Sequence, residues 1–120
     1  MPSRFLVFSN PVDGADEKAF VDWYETTHVP DVLKVPGVVG AQRYTIAELT
    51  IPDNDIAVIP PPPQRFLVIY EVEAEPGAVM ADFLARLMDG RMVLSPLLDL
   101  GSVSMAFWEP AGDPQVSSAS

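Results

Sequence analysis

The sequence contains no cysteine and only one histidine, His28. The absence of cysteine excludes disulfides, thiolate nucleophiles and the cysteine ligands of zinc and iron–sulfur sites, and one histidine is too few for the usual histidine-rich zinc site. A metal would have to bind carboxylates, for which Asp53-Asn54-Asp55 is the candidate loop. Because that loop lacks the glycine and the distal glutamate of an EF-hand, we interpret it as a solvated turn and predict no metal and no cofactor.

Basic residues are also scarce, since seven Lys and Arg stand against 17 Asp and Glu, which gives a net charge of −10. This charge repels phosphate backbones and anionic lipid headgroups, so we expect no nucleic-acid and no membrane partner. No apolar run approaches the roughly 18 residues of a membrane span, and the first residues show no signal-peptide layout. The phosphate-binding patterns GxxxxGK(S/T) and GxGxxG and the serine elbow GxSxG are missing too. We therefore expect a soluble cytoplasmic protein that neither binds nucleotides nor acts as a serine hydrolase.

The 120 residues are enough for one domain, which we predict to span residues 1–110. Hydrophobic patterning predicts four strands, at residues 4–9, 38–48, 65–73 and 101–109. It predicts two helices, one from Asp13 or Asp16 to about His28, where Pro30 ends or resets it, and one from Pro76-Gly77 to Gly90. The order βαββαβ is that of a ferredoxin-like α+β fold, in which a four-stranded antiparallel sheet carries both helices on one face.

The first and third predicted strands are apolar on both faces, as shown by Phe5 and Val7 alternating with Leu6 and Phe8. The chain's own helices can cover only one face of the sheet, so the other face needs a partner. We therefore expect a homodimer in which two sheets pack face to face.

Two segments depart from a minimal fold. The long connection at residues 49–64 contains the apolar run 56–59 and then four prolines, which favour a stiff polyproline II conformation. It is either an ordered surface excursion packed on the body of the protein or a lid or dimer arm. The tail, residues 111–120, is small and polar, and we expect it to be disordered.

The strongest candidate site lies in the segment Trp23-Tyr24-Glu25-Thr26-Thr27-His28. At helical spacing Tyr24 and His28 share one face, about 6 Å apart at Cβ. Because an imidazole titrates near neutrality, His28 is the side chain best suited to accept and return a proton. A lone histidine near a helix C-terminus can equally cap carbonyl groups, and Tyr24 and Trp23 can be core aromatics. The pattern leaves both interpretations open.

The motif around His28 resembles the dimeric α+β barrel superfamily, and within it the EthD-like group. The matching residues are Phe20-x-x-Trp23-Tyr24-x-x-Thr27-His28-x-Pro30-Asp31-Val32-Leu33, Val35-Pro36-Gly37-Val38 and Ala41-Gln42-Arg43-Tyr44. The resemblance covers residues 5–48 well and the second half mainly by element order. It implies a ligand cavity between the sheet and the helices of each subunit. Because the superfamily includes polyketide cyclases, lactone isomerases, monooxygenases and haem-degrading enzymes, it specifies a fold better than a reaction.

Carried over position by position, the resemblance makes His28 and Tyr24 the catalytic candidates. It makes Trp23, Arg43 and Tyr44 candidate substrate-binding residues, and we add Trp108, which can line a pocket or belong to the core or interface. Arg43 and Tyr44 are strand neighbours, so they must point to opposite faces of the sheet. Arg43 then either clamps an anion or enolate or forms a salt bridge to a carboxylate of the first helix.

Three functions stay open. The leading one is a cofactor-independent cyclase, dehydratase or isomerase in which neutral His28 removes a proton next to a carbonyl of a small apolar or polyketide-like substrate, while Tyr24 or Arg43 stabilises the enolate. The second is a non-catalytic protein that binds a small hydrophobic ligand, which the lack of another acid–base residue beside His28 favours. The third is a haem-binding protein or cofactorless monooxygenase, although the lack of further histidines weakens that analogy.

Overall fold

The computed structural model describes residues 2–53 and 59–118. Along these residues the strands and helices follow the predicted order βαββαβ. Their bounds are β1 Ser3–Ser9, α1 Glu17–Trp23, a π-helical turn Tyr24–His28, α2 Val29–Val32, β2 Val38–Thr45, β3 Phe66–Val72, α3 Pro76–Met88, a 3-10 turn Leu100–Ser102 and β4 Ser104–Trp108.

The four strands form one antiparallel sheet in the order β2-β3-β1-β4. Phe5 pairs with Tyr70 across the two central strands, and both side chains are 1% exposed. The helices cover this face, because Phe20 of α1 packs edge-on against Phe66 and Phe83 of α3 packs edge-on against Phe5. The predicted ferredoxin-like α+β fold is confirmed.

Two local signals at the helix ends behave as predicted, the cap by Asp16 and the stop at Gly90. The Asp16 side chain accepts a hydrogen bond from the Ala19 N–H at 3.3 Å and caps α1. At α3, Glu75 accepts from the N–H groups of Gly77 and Ala78. Gly90 follows the end of α3 with φ +86°, a conformation that glycine adopts without steric cost.

The first helix does not end at His28. It widens into the π-helical turn, in which the Val29 N–H bonds to the Tyr24 carbonyl, and α2 then continues to Val32. Thr26 Oγ1 donates to the Asp22 carbonyl at 2.6 Å, a side-chain bond that competes with the regular helical ladder. Pro30 therefore resets the helix instead of ending it, and a further helical turn follows His28.

Two strand boundaries differ from the prediction by three residues, whereas the others agree to within one residue. β2 ends at Thr45, three residues earlier than expected. β4 begins at Ser104, because the Asp99 side chain accepts from the Gly101 N–H and holds the preceding residues in the 3-10 turn.

The second face of the sheet carries no helix within the described residues. Its centre is formed by four partly buried apolar side chains: Leu6, Phe8, Leu67 and Ile69. We call these four the open-face cluster. Tyr44 and Trp108 lie beside it, 48% and 58% exposed. The homodimer that would cover this face stays a prediction.

The connection between β2 and β3 exposes apolar side chains, since Leu49 is 72% and Ile59 82% exposed. Its far end is attached to the body by a hydrogen bond from Asn10 Nδ2 to the Pro63 carbonyl at 3.0 Å. Residues 54–58 lie outside the described residues, so the role of the loop stays a prediction, as do the domain bounds and the disorder of the tail. No helix in the described ranges is long and apolar enough to cross a bilayer.

Candidate functional site

A row of buried side chains runs along the first helix at a spacing of four residues: Phe20, Tyr24, His28 and Val32, which are 0–5% exposed. In a regular α-helix each step of four residues turns about 40° past a full circle, so a row of this length would drift by about 120° around the helix. The wider π-helical turn offsets this drift and keeps all four side chains on the sheet-facing side. The prediction that Tyr24 and His28 share one face is confirmed.

The His28 imidazole is enclosed by aromatic rings. It stacks on Trp23 with ring centroids 4.8 Å apart and meets the edge of Tyr24 at 5.2 Å. Burial lowers the pKa of His28 to about 4, against an opposing effect of the Asp31 carboxylate. The ring is therefore neutral at cellular pH. Its Nδ1 atom is buried and has no hydrogen-bond partner among the described residues.

Tyr24 is held in place by its hydroxyl, which shares a hydrogen bond of 2.8 Å with Ser9 Oγ. Both side chains are buried. Burial raises the pKa of the Tyr24 phenol, while the Ser9 hydrogen bond and the charge of Arg43 act in the opposite direction. Tyr24 is thus a neutral phenol with its hydroxyl already occupied.

Arg43 points to the helix-covered face of β2 and Tyr44 to the open face, as predicted. Arg43 Nη1 donates to Glu25 Oε1 at 2.7 Å, which confirms the predicted type of salt bridge to the first helix. The Arg43 side chain is 22% exposed and that of Glu25 is 56% exposed. Because Glu25 is largely in water, this ion pair is weak, and an anionic ligand can compete for the guanidinium.

The structure does not bring Tyr44 or Trp108 to His28. Tyr44 lines a crevice of about 130 Å³ together with Phe8 and Pro62. Trp108 lines a separate crevice of about 390 Å³ beside Arg4 and Glu71. Both crevices adjoin the open face, so these two aromatics are placed to contact whatever covers that face.

Sequence patterning missed Tyr70. This residue is 1% exposed, and its hydroxyl, like that of Ser3, is buried without a hydrogen-bond partner within the described residues. Burial raises the pKa of the Tyr70 phenol, as does its neighbour Tyr24, and Arg43 opposes both. The available signal was a tyrosine at an inward-facing position of a central strand, because a buried phenol normally finds a partner.

No group of three or more His, Asp and Glu side chains with the arrangement of a metal site occurs in the part of the chain that the structure describes. The candidate loop Asp53-Asn54-Asp55 lies partly outside that part.

Residues 13–72 match the model of the EthD domain, which is half of the chain and includes the His28 helix, β2 and β3. The chain belongs to the EthD family. The resemblance seen in the sequence is thereby confirmed.

Two solved structures share the EthD-family fold of this chain. One is an ethyl tert-butyl ether D (EthD) family protein from Bacillus halodurans C-125, with 13% identity, coverage of 92% of this chain and 99% of that chain, and a TM-score of 0.50. The other is HapK from Hahella chejuensis, with 17% identity, coverage of 95% and 98%, and a TM-score of 0.56. Comparison with curated proteins yields no match. At such identities the similarity establishes the fold and leaves the reaction open.

A haem iron does not fit the surroundings of His28 in this EthD-family chain. An axial imidazole has to present a nitrogen to a pocket wide enough for the macrocycle. His28 is 5% exposed, one face of its ring lies on Trp23, and the edge of Tyr24 closes another side. The haem-binding alternative therefore has no support from the residues present. The crevices described above are not lined by His28 either, so a smaller substrate also reaches its buried Nδ1 only if the aromatic enclosure opens.

Proposed function

We propose that this EthD-family protein is a cofactor-independent enzyme of the cyclase, dehydratase or isomerase type, acting on a small apolar or polyketide-like carbonyl compound. The observation that carries the proposal is the buried Nδ1 of His28, which has no partner among the described residues. An unpartnered buried nitrogen lowers stability, and such groups in native proteins call for an explanation, of which a catalytic role is one.

In the proposed reaction the neutral imidazole takes a proton from the carbon next to the substrate carbonyl. The C–H bond breaks, its electron pair forms the enolate, and the proton moves to the ring nitrogen. An isomerase returns that proton to another carbon of the substrate, and a dehydratase delivers it to the departing hydroxyl, which leaves as water. In a cyclase the enolate carbon forms a C–C bond to a second carbonyl of the substrate, whose oxygen becomes an alkoxide and takes the proton. The charge of Arg43 opposes the rise in pKa that burial causes at Tyr24 and Tyr70, and the same positive charge would stabilise an enolate bound beside these phenols.

The low pKa of His28 has two opposing consequences for this role. It keeps the imidazole unprotonated at pH 7, but it also makes the imidazole a weaker base than one whose pKa lies near the working pH. Once the reaction begins, the negative charge on the enolate oxygen favours the imidazolium form, as the nearby Asp31 carboxylate already does. Proton transfer and enolate formation therefore assist each other inside the low-dielectric core.

The test is exchange of the α-protons of 2-tetralone, a small apolar ketone, for solvent deuterium, followed by NMR. We expect His28→Gln to slow the protein-catalysed exchange by about 100- to 10,000-fold. Thr27→Gln is the matched control, because Thr27 is an exposed neighbour in the same π-helical turn. Exchange that survives His28→Gln, or a wild-type rate equal to that of buffer across a panel of aryl ketones, would contradict the proposal.

A non-catalytic binding protein is the second candidate. The observation that favours it is the occupied hydroxyl of Tyr24, which leaves His28 without a free acid–base partner on its own helix. In that case His28→Gln changes the affinity for an apolar ligand while 2-tetralone exchanges at the buffer rate.

We further propose that the protein works as a homodimer in the cytoplasm. The open-face cluster supports the dimer, because an apolar sheet face of this kind is normally covered. A cysteine-free composition suits a reducing compartment.

A further inference from the structure

Tyr70 occupies the centre of the helix-covered sheet face. Its strand neighbours are Phe5 on β1 and Ala41 on β2. The Tyr70 ring packs against Phe5 with centroids 5.9 Å apart, so the ring itself is ordinary core. The hydroxyl is unusual for a core position, because it is buried and has no hydrogen-bond partner in the described residues. Phenylalanine would fill the same space without burying an unsatisfied polar group.

The surroundings of that hydroxyl connect it to the proposed site. Tyr24 and Arg43 both act electrostatically on the Tyr70 phenol, so side chains from the π-helical turn, β2 and β3 converge there. Tyr24 in turn contacts the His28 ring edge-on. Opposite Tyr70 on β2 lies the small side chain of Ala41, which is partly buried and packs against the core.

The two side chains that act on this phenol, Tyr24 and Arg43, each have a partner. The Tyr24 hydroxyl is bonded to Ser9, and the Arg43 guanidinium is bonded to Glu25. Of the two phenols, Tyr70 is the one whose hydroxyl has no hydrogen-bond partner among the described residues.

We propose that Tyr70 donates a hydrogen bond to the carbonyl oxygen of the substrate and stabilises the negative charge that develops there when His28 removes the neighbouring proton. This inference rests on the proposed function and assigns the oxygen-binding position of the same site. Tyr70 keeps its proton throughout, so no covalent change occurs at the phenol. A donor that is fixed before the reaction starts and shielded from water stabilises such a charge most strongly.

The first measurement compares the thermal unfolding of Tyr70→Phe and Tyr24→Phe. Tyr70→Phe removes a hydroxyl that lacks a partner, so its melting temperature should equal or exceed that of the wild type. Tyr24→Phe also removes one hydroxyl, but it leaves Ser9 Oγ buried and unpaired, so its melting temperature should fall. If Tyr70→Phe lowers the melting temperature as much as Tyr24→Phe does, the hydroxyl is structural and the proposal is wrong.

The second measurement uses 2-naphthol, a planar mimic of an enol, and naphthalene, which lacks the oxygen. We expect the wild type to bind 2-naphthol more tightly than naphthalene, and Tyr70→Phe to lose this preference while its affinity for naphthalene stays the same. Equal binding of the two probes by the wild type, or an unchanged preference in Tyr70→Phe, overturns the assignment.

The third measurement is 2-tetralone exchange by Tyr70→Phe. Loss of one donor to a developing oxyanion should lower kcat by about 100- to 1,000-fold with little change in KM. An unchanged kcat overturns the catalytic role of Tyr70. If His28→Gln shows that exchange does not depend on His28, but Tyr70→Phe still loses its preference for 2-naphthol, then the proposed reaction fails and the oxygen-binding role of Tyr70 stands.

Discussion

The burial of His28 predicts a specific loss of stability on acidification. The ordinary pKa of the imidazole is 6.5, and burial lowers it to about 4 in the folded protein. Between these two pH values the unfolded chain binds more protons than the folded one, so the free energy of unfolding falls as the pH is lowered from 6.5 towards 4. A shift of this size corresponds to about 3 kcal/mol in total, of which about 2 kcal/mol is already lost at pH 5.

The assay is urea unfolding at pH 7.5 and at pH 5, followed by tryptophan fluorescence, for the wild type and for His28→Gln. The many carboxylates also begin to titrate near pH 5, so the informative quantity is the difference between the two proteins. We expect the wild type to lose about 2 kcal/mol more than His28→Gln over this interval. Asp31→Asn, in a protein that keeps His28, should increase the loss of unfolding free energy between pH 7.5 and pH 5, because Asp31 raises the pKa of His28.

Parallel pH profiles for the wild type and His28→Gln would refute this reasoning. They would mean that the imidazole titrates alike in the folded and unfolded chain, and hence that it is not enclosed between Trp23 and Tyr24. An NMR titration of the imidazole protons in the folded protein gives the same answer independently, since a midpoint near 6.5 is incompatible with a buried neutral ring.

Two further predictions concern the assembly and the backbone. Light scattering of the wild type should give twice the 13.1 kDa mass of the chain. Ile69→Lys in the open-face cluster should give the mass of a single chain, whereas the control Met88→Lys, at a residue that is 88% exposed, should leave the dimer intact. A wild-type monomer at micromolar concentration would contradict the proposed assembly. Gly37→Ala should lower the free energy of unfolding more than Gly14→Ala does. Both substitutions place alanine at a positive φ, which costs roughly 1–2 kcal/mol, but a Cβ on Gly37 also overlaps the Ala74 side chain. Equal losses of unfolding free energy in urea would show that the overlap relaxes freely.

The order of the elements could be predicted from the sequence because each boundary has a local chemical cause. Asp16 supplies a cap, Gly90 supplies the positive φ after α3, and Pro76 suits a first helical position. The start of β4 could not be predicted in the same way. The Asp99 side chain bonds to the Gly101 N–H and favours a turn over an extended strand, and this competition between local bonds does not show in hydrophobic patterning.

The polar partners in the site were only partly predictable. The alternation of side chains along β2 was enough to assign Arg43 and Tyr44 to opposite faces of the sheet. A salt bridge to the first helix was then one of the two roles expected for Arg43. The partner itself, Glu25, depends on how far the helix lies from the strand, which is a tertiary property. Tyr70 was missed because an inward tyrosine in an apolar strand looks like any other core aromatic until the lack of a partner for its hydroxyl is known.

The π-helical turn links the local sequence to the electrostatics of the site. Residues five apart on a regular α-helix are separated by about 140° around the axis, so Trp23 and His28 could not stack there. In a turn closed by bonds between residues five apart this angle is smaller, and the Trp23 and His28 rings stack with their centroids 4.8 Å apart. The wide turn thus creates the contact that buries the imidazole and lowers its pKa. Apolar or aromatic residues recur every four positions from Phe20 to Val32, and a regular α-helix cannot keep such a repeat on one face over this length. This repeat is the sequence signal from which the π-helical turn, and with it the neutral histidine, could have been inferred.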